Sequence, residues 1–129
     1  MMGNSKLVLV TGGARSGKSD FAERYAAVLP GRHAYVATAF VSDDEMARRI
    51  AIHRKRRPAS WATWEVPRHL PDVVDDLCKS ADVVLVDCLT IYFSNYLWDH
   101  DGESDDVLLD GALAELRTIL KAFRKAGVT

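Results

Sequence analysis

Gly12-Gly13-Ala14-Arg15-Ser16-Gly17-Lys18-Ser19 fits G-x-x-x-x-G-K-S/T, the spacing of a phosphate-binding loop. The chemistry needs that spacing. Glycines let the backbone curl so that successive N–H groups point at phosphate oxygens. The start of the following helix adds its partial positive charge. Lys18 can then reach the β- and γ-phosphates of a nucleotide, and the Ser19 hydroxyl can ligate Mg2+. Asp87 belongs with this group. It closes the apolar run Val83-Val84-Leu85-Val86, and an acid at the carboxyl end of a sheet strand can hold Mg2+ or its water. Alone, such an acid is more often a turn former or a helix cap. Beside a phosphate loop it reads as a metal or nucleotide ligand.

A third group is basic. Arg48, Arg49, Arg54, Lys55, Arg56 and Arg57 surround His53 within ten residues, and on a helix His53 shares a face with Met46, Arg49 and Ile50. One reading is a solvated basic face, able to meet nucleic acid, with an incidental histidine. The other is a phosphate-handling site. Neighbouring cations disfavour imidazolium and keep His53 neutral and nucleophilic, and they neutralise charge on a transferring phosphoryl or nucleotidyl group. Spacing alone leaves both open.

These groups need a frame to hold them. Leu7 to Val10 is a short apolar run ended by Gly12-Gly13, which predicts a strand buried on both faces. Phe21, Ala22, Tyr25, Ala26 and Leu29 recur at helical spacing from Lys18 to Leu29, and Pro30-Gly31 stops that helix. His33 to Ala39 reads as a second strand. Ser42-Asp43-Asp44-Glu45 is a capping box opening a helix to about Arg57, where Pro58 discourages continuation. A loop with Trp61 and Trp64 follows, and these tryptophans suit a core edge and a ligand or subunit contact equally well. Next come a helix near Asp72 to Lys79 burying Val73, Val74 and Leu77, and a strand from Asp82 to Asp87. Thr90 to Trp98 reads as helix and Asp99 to Asp106 as an acidic, solvated loop capping the next helix. Asp105 to Ala126 is a long helix with Leu109, Leu113, Leu116 and Leu120 inside. Strands alternating with helices predict an α/β fold with a parallel sheet. The chain stops where another strand is expected, which suggests a fragment or a sheet completed by another polypeptide.

A chain of 129 residues is one domain, 1–129. With 48% apolar and 27% charged residues it can bury a core and is not disordered. A net charge of −1 argues against a chain-wide binder of nucleic acid or anionic membrane. No apolar run approaches a membrane span, and Leu7 to Val10 is too short for a signal peptide. Cys78 and Cys88 form no CxxC and read as packing residues of a reduced, cytoplasmic protein.

GGARSGKS is a distinctive form of the phosphate loop. With Tyr35-Val36-Ala37-Thr38-Ala39, Asp44-Glu45-Met46, Arg49-Ile50, His53, Arg57-Pro58, Trp61 and Glu65, it resembles the bifunctional adenosylcobinamide kinase/adenosylcobinamide-phosphate guanylyltransferase family. The likeness runs in register from Leu7 to about Leu97 and more loosely through the last helix. It implies a P-loop NTPase-type, RecA-like sheet flanked by helices, C-terminally incomplete here. Two activities of cobalamin assembly are implied. One phosphorylates the aminopropanol hydroxyl of adenosylcobinamide with ATP or GTP. The other moves GMP from GTP onto adenosylcobinamide phosphate through a GMP-histidine intermediate, releasing pyrophosphate.

By position, the resemblance makes His53 that nucleophile; Ile52 beside it is apolar and cannot substitute. Lys18 becomes the catalytic lysine, and Gly12, Gly13, Ala14, Arg15, Ser16, Gly17, Lys18 and Ser19 hold the phosphates. Ala37, Thr38, Ala39, Arg54, Lys55, Arg56, Arg57, Glu65 and Asp87 complete the nucleotide site, with Ser19 and Asp87 on Mg2+. A homotrimer is implied as well. The family continues with a strand bearing Asn-Glu-Val-Gly, more helix and a final strand, none of which lies within this sequence. Three rivals remain: a small P-loop metabolite or nucleoside kinase without a covalent intermediate, an inactive nucleotide-binding fragment, and a nucleic-acid binder using Arg48 to Arg57.

Overall fold

The computed structural model describes residues 6–13, 16–39 and 44–129; the side chains of Met46, Arg49, His53, Arg54 and Arg56 also lie outside the described residues. Helix α1 spans Lys18–Ala27, strand β1 His33–Ala37, α2 Asp44–Arg56 and β2 Ala62–Glu65. A 3-10 turn at Leu70–Val73 leads into α3, Val74–Ser80. Then come β3 Val83–Asp87, α4 Leu89–Asp99 and α5 Asp105–Ala126. The three strands form one parallel sheet in the order β2-β1-β3. The chain is therefore α/β with a parallel sheet, as expected. No helix among the described residues is long and apolar enough to cross a membrane.

β1 takes the centre because Ala34, Tyr35 and Val36 are all buried, as a strand covered on both faces requires. One face of the sheet, with Ala34 and Val36, packs against Leu70, Val74, Leu77, Tyr92 and Ile119. Burying a side chain such as Leu77 contributes about 2–3 kcal/mol. The other face, with Tyr35 and Val83, packs against Ala26 of α1 and Trp61. This second face lies against α1, the helix that follows the glycine-rich loop.

Leu7 to Val10 departs from the prediction. Residues 6–13 take no regular secondary structure, and Leu7 and Leu9 are 70% and 74% exposed. Another residue lies along the edge of β3. Thr129 donates its N–H to the Asp82 carbonyl at 3.2 Å and accepts from the Val84 N–H at 2.6 Å, the bonding pattern of a parallel bridge. The Lys6 N–H donates to Thr129 Oγ1 at 3.2 Å. Thr129 therefore holds the ladder position beside β3, and the apolar run lies outside it.

The supposed loop around the tryptophans is a strand. β2 pairs Ala62 to Glu65 with Ala34 to Ala37, residue for residue. Trp61 just before it is buried and stacks on His33, with ring centroids 4.9 Å apart and planes 5° apart. Trp64 packs into the opposite core cluster. Two helices also turn differently from their predicted stripes. α1 buries Glu23 and Ala26, while Phe21 is 59% exposed. α5 buries Ile119 and packs Ala122 and Phe123 inward, leaving Leu109 and Leu113 exposed. Its N-cap behaves as expected: Ser104 Oγ accepts from the Val107 N–H at 3.4 Å. The capping residues Ser42 and Asp43 of the preceding box lie outside the described residues.

Candidate functional site

The phosphate loop runs straight into α1. Gly17 is the N-cap, with φ 81° and, among the described residues, no side-chain cap hydrogen bond. A left-handed N-cap favours glycine. Gly12 is tightly placed for another reason: a Cβ there would meet Ser16 Oγ at 2.4 Å and Ser16 Cβ at 3.3 Å. The Ser16 N–H donates to the Gly13 carbonyl at 3.2 Å, and Lys18 Nζ donates to the same carbonyl at 3.3 Å. Ala14 and Arg15 lie outside the described residues.

Facing the loop is the carboxyl edge of the sheet. Ala37 pairs with Glu65 on one side and Asp87 on the other, so two acids flank it in one row. The Asp87 carboxylate is held at both oxygens. Ser19 Oγ donates to Oδ1 at 3.5 Å, and the Tyr35 hydroxyl donates to Oδ2 at 2.6 Å. Burial, and then the bonded Asp87 carboxylate, push the Tyr35 phenol above its ordinary value. Tyr35 therefore remains a donor at any physiological pH. The Arg57 guanidinium lies over the Tyr35 ring, 3.6 Å from its centroid. The sheet and α1 thus meet at the Asp87 carboxylate, and Arg57, just after α2, packs on the tyrosine that holds it.

Behind this edge the backbone is locked. Thr38 is fully buried; its Oγ1 donates to the Cys88 carbonyl at 2.7 Å and accepts from the Cys88 N–H at 2.9 Å. The Thr38 N–H donates to the Asp87 carbonyl at 3.3 Å. Its hydroxyl is thereby committed to the chain, and Ala39 next to it is half-buried. Cys88 and Cys78 are free and half-buried, consistent with packing roles. A cavity of about 480 Å³ opens beside Arg57, lined also by Lys55, Pro58, Ala59, Trp61 and Thr63. Lys55 and Arg57 are thus brought to one hollow, and Glu65 is exposed at the tip of β2. His53, Arg54 and Arg56 belong to α2 by backbone, with side chains outside the described residues.

Three residues escaped the sequence reading. Tyr35 lies inside a motif that was recognised, yet its grip on Asp87 depends on a neighbouring strand. Glu23 is an acid on the buried face of α1, visible only as a charge interrupting a helical stripe. Asn95 is buried in α4 and donates its amide to the carbonyls of Thr38 at 3.0 Å and Pro67 at 3.1 Å.

A parallel α/β sheet with a glycine-capped loop and an acid meeting at its carboxyl edge has the layout of a nucleotide-binding domain. Residues 8–129 match the family model described as cobinamide kinase / cobinamide phosphate guanyltransferase, and the chain belongs to that family. It is 47% identical over 98 residues to the bifunctional adenosylcobalamin biosynthesis protein CobP of Pseudomonas aeruginosa, covering 76% of this chain and 57% of that protein. It is 42% identical over 109 residues to the corresponding CobU protein of Salmonella typhimurium, covering 84% and 60%. With CobU of Escherichia coli K12 the figures are 43% over 102 residues, 77% and 54%. The chain thus spans less than two thirds of the length of these relatives.

Proposed function

We propose that this chain carries the nucleotide chemistry of a bifunctional enzyme of cobalamin assembly. In the first reaction the aminopropanol hydroxyl of adenosylcobinamide attacks the γ-phosphorus of ATP or GTP, and the nucleoside diphosphate leaves. In the second, a ring nitrogen of His53 attacks the α-phosphorus of GTP and pyrophosphate leaves. An oxygen of adenosylcobinamide phosphate then displaces the histidine, giving adenosylcobinamide-GDP and free His53. Splitting one displacement between two anions into two steps gives each step a well-positioned nucleophile.

The observation that carries the reading is the 3.5 Å bond from Ser19, at the start of α1, to Asp87 at the sheet edge, with Lys18 beside it bonded back to the Gly13 carbonyl of the loop. Family membership supports the two activities. Lys18 and the uncapped N–H groups of α1 would hold phosphate oxygens, with Arg57 and Lys55 supplying further positive charge. One hydroxyl and one carboxylate oxygen, Ser19 Oγ and Asp87 Oδ1, are hard donors of the kind Mg2+ prefers. Bound there, Mg2+ would neutralise phosphate charge. The P-loop NTPase-type, RecA-like description of the fold, a homotrimeric assembly and a cytoplasmic location belong to the same proposal and rest on the family resemblance.

Intact mass after incubation with GTP and Mg2+ tests it, on wild type and His53→Ala, at neutral or alkaline pH because phosphoramidates are acid-labile. The expected result is an added GMP on wild type only. GTP binding without any adduct, on this chain and on one extended to the relatives' length, would point instead to a simple kinase or a nucleotide-binding module.

A further inference from the structure

Tyr35 stands in the middle of β1 and is 6% exposed. It pairs with Leu85, so Asp87 lies two residues further along β3 on the same face, within diagonal reach of a long side chain. Its hydroxyl meets Asp87 Oδ2 at 2.6 Å, and its ring face carries the Arg57 guanidinium at 3.6 Å. Those two partners come from different elements: Asp87 ends β3, and Arg57 follows α2 directly. A buried tyrosine needs some acceptor for its hydroxyl, and any backbone carbonyl would serve. Here the acceptor is the acid whose other oxygen faces Ser19.

We propose that Tyr35 is a positioning residue of the nucleotide site, orienting Asp87 through its hydroxyl and seating Arg57 through its ring. The inference rests on the nucleotide-site reading given above. With Oδ2 tied to β1, the carboxylate keeps Oδ1 turned toward Ser19. With the guanidinium laid on the ring, the residue following the His53 helix is fixed against the same strand. The two contacts are chemically separable: Tyr35→Phe removes only the hydroxyl, and Tyr35→Leu removes the ring as well.

The test reads the affinity of a mant-labelled GTP by fluorescence, once with Mg2+ and once with EDTA, for wild type, Tyr35→Phe, Tyr35→Leu and Asp87→Asn. A hydrogen bond to a charged group is worth about a tenfold change in an equilibrium. Tyr35→Phe should therefore lose about tenfold in affinity with Mg2+ and stay within about twofold of wild type in EDTA. Tyr35→Leu should lose affinity under both conditions, since Arg57 loses its seat. In an Asp87→Asn background, Tyr35→Phe should add nothing to the Mg2+ effect, because the two residues act as one unit. A Tyr35→Phe that lowers the thermal unfolding midpoint while both affinities stay at wild-type values would reduce Tyr35 to a structural residue. Equal losses with and without Mg2+ would also overturn the proposal. A wild-type chain that binds no labelled GTP would remove the nucleotide-site reading and this inference with it, whereas binding by wild type with an unchanged Tyr35→Phe overturns this inference alone.

Discussion

Asn95 on α4 donates two hydrogen bonds across the sheet edge, to the carbonyls of Thr38 and Pro67. One buried amide thus ties the residue after β1 to the segment after β2. Asn95→Leu keeps the side chain's approximate size but leaves both carbonyls without that donor. It is expected to lower stability by about 1–3 kcal/mol, the magnitude for an unsatisfied buried acceptor. Denaturant unfolding of the two proteins checks this, and an unchanged midpoint would contradict it.

Lys18→Ala removes an amine that makes an exposed bond to the Gly13 carbonyl. Folding should hardly change, because that bond is solvent-exposed. Affinity for GTP should fall about 10- to 100-fold, the range for lost charge-assisted contacts. Calorimetric titration with GTP, beside a thermal melt, separates the two effects.

Gly12→Ala tests the loop's shape. The added methyl would sit 2.4 Å from Ser16 Oγ and 3.3 Å from its Cβ, so rotating the hydroxyl relieves only the first contact. The expected result is at least about a tenfold loss of GTP affinity, in line with the 1–3 kcal/mol typical of overpacking. The unfolding midpoint should stay close to wild type because the loop is exposed. Wild-type affinity in this variant would mean the loop tolerates a side chain at position 12.

The meeting of the glycine-rich loop with Asp87 was legible because the proposed chemistry sets residue type and spacing along the chain, and the structure brings Ser19 to Asp87. The Tyr35–Asp87–Arg57 contact was not, since it exists only once β1 and β3 are neighbours and the end of α2 folds over them. Leu7 to Val10 was misread for a related reason: an apolar run states a tendency to be buried and says nothing about which ladder position is open. β2 was missed because four residues, exposed at both ends, are too short for periodicity to register. In α5 two apolar stripes lie side by side, and the sequence alone could not say that the one with Ile119, rather than Leu109 and Leu113, meets the core.

Acid should act late on the exposed Arg32–Asp82 pair just before β3. Arg32 donates to Asp82 through its backbone N–H at 2.8 Å and its guanidinium at 3.1 Å, holding the Asp82 carboxyl down at about 2. Because the folded value is depressed, the stabilisation from this pair is present above the ordinary aspartate value and is lost as pH falls through about 2. Carbon-detected NMR titration should find Asp82 titrating late, and Arg32→Gln should return it toward its ordinary value. The same direction holds for Asp99, which Arg68 holds below the usual range.

The glycine cap of α1 has a bearing on how fast a ligand could be captured. No side chain of Gly17 sits in the mouth of that helix, so nothing of its own must swing aside before an anion docks. A seat of this kind favours rapid exchange of an anion, so under the proposed function the longer residence of a nucleotide would depend on the groups around Asp87 and Arg57.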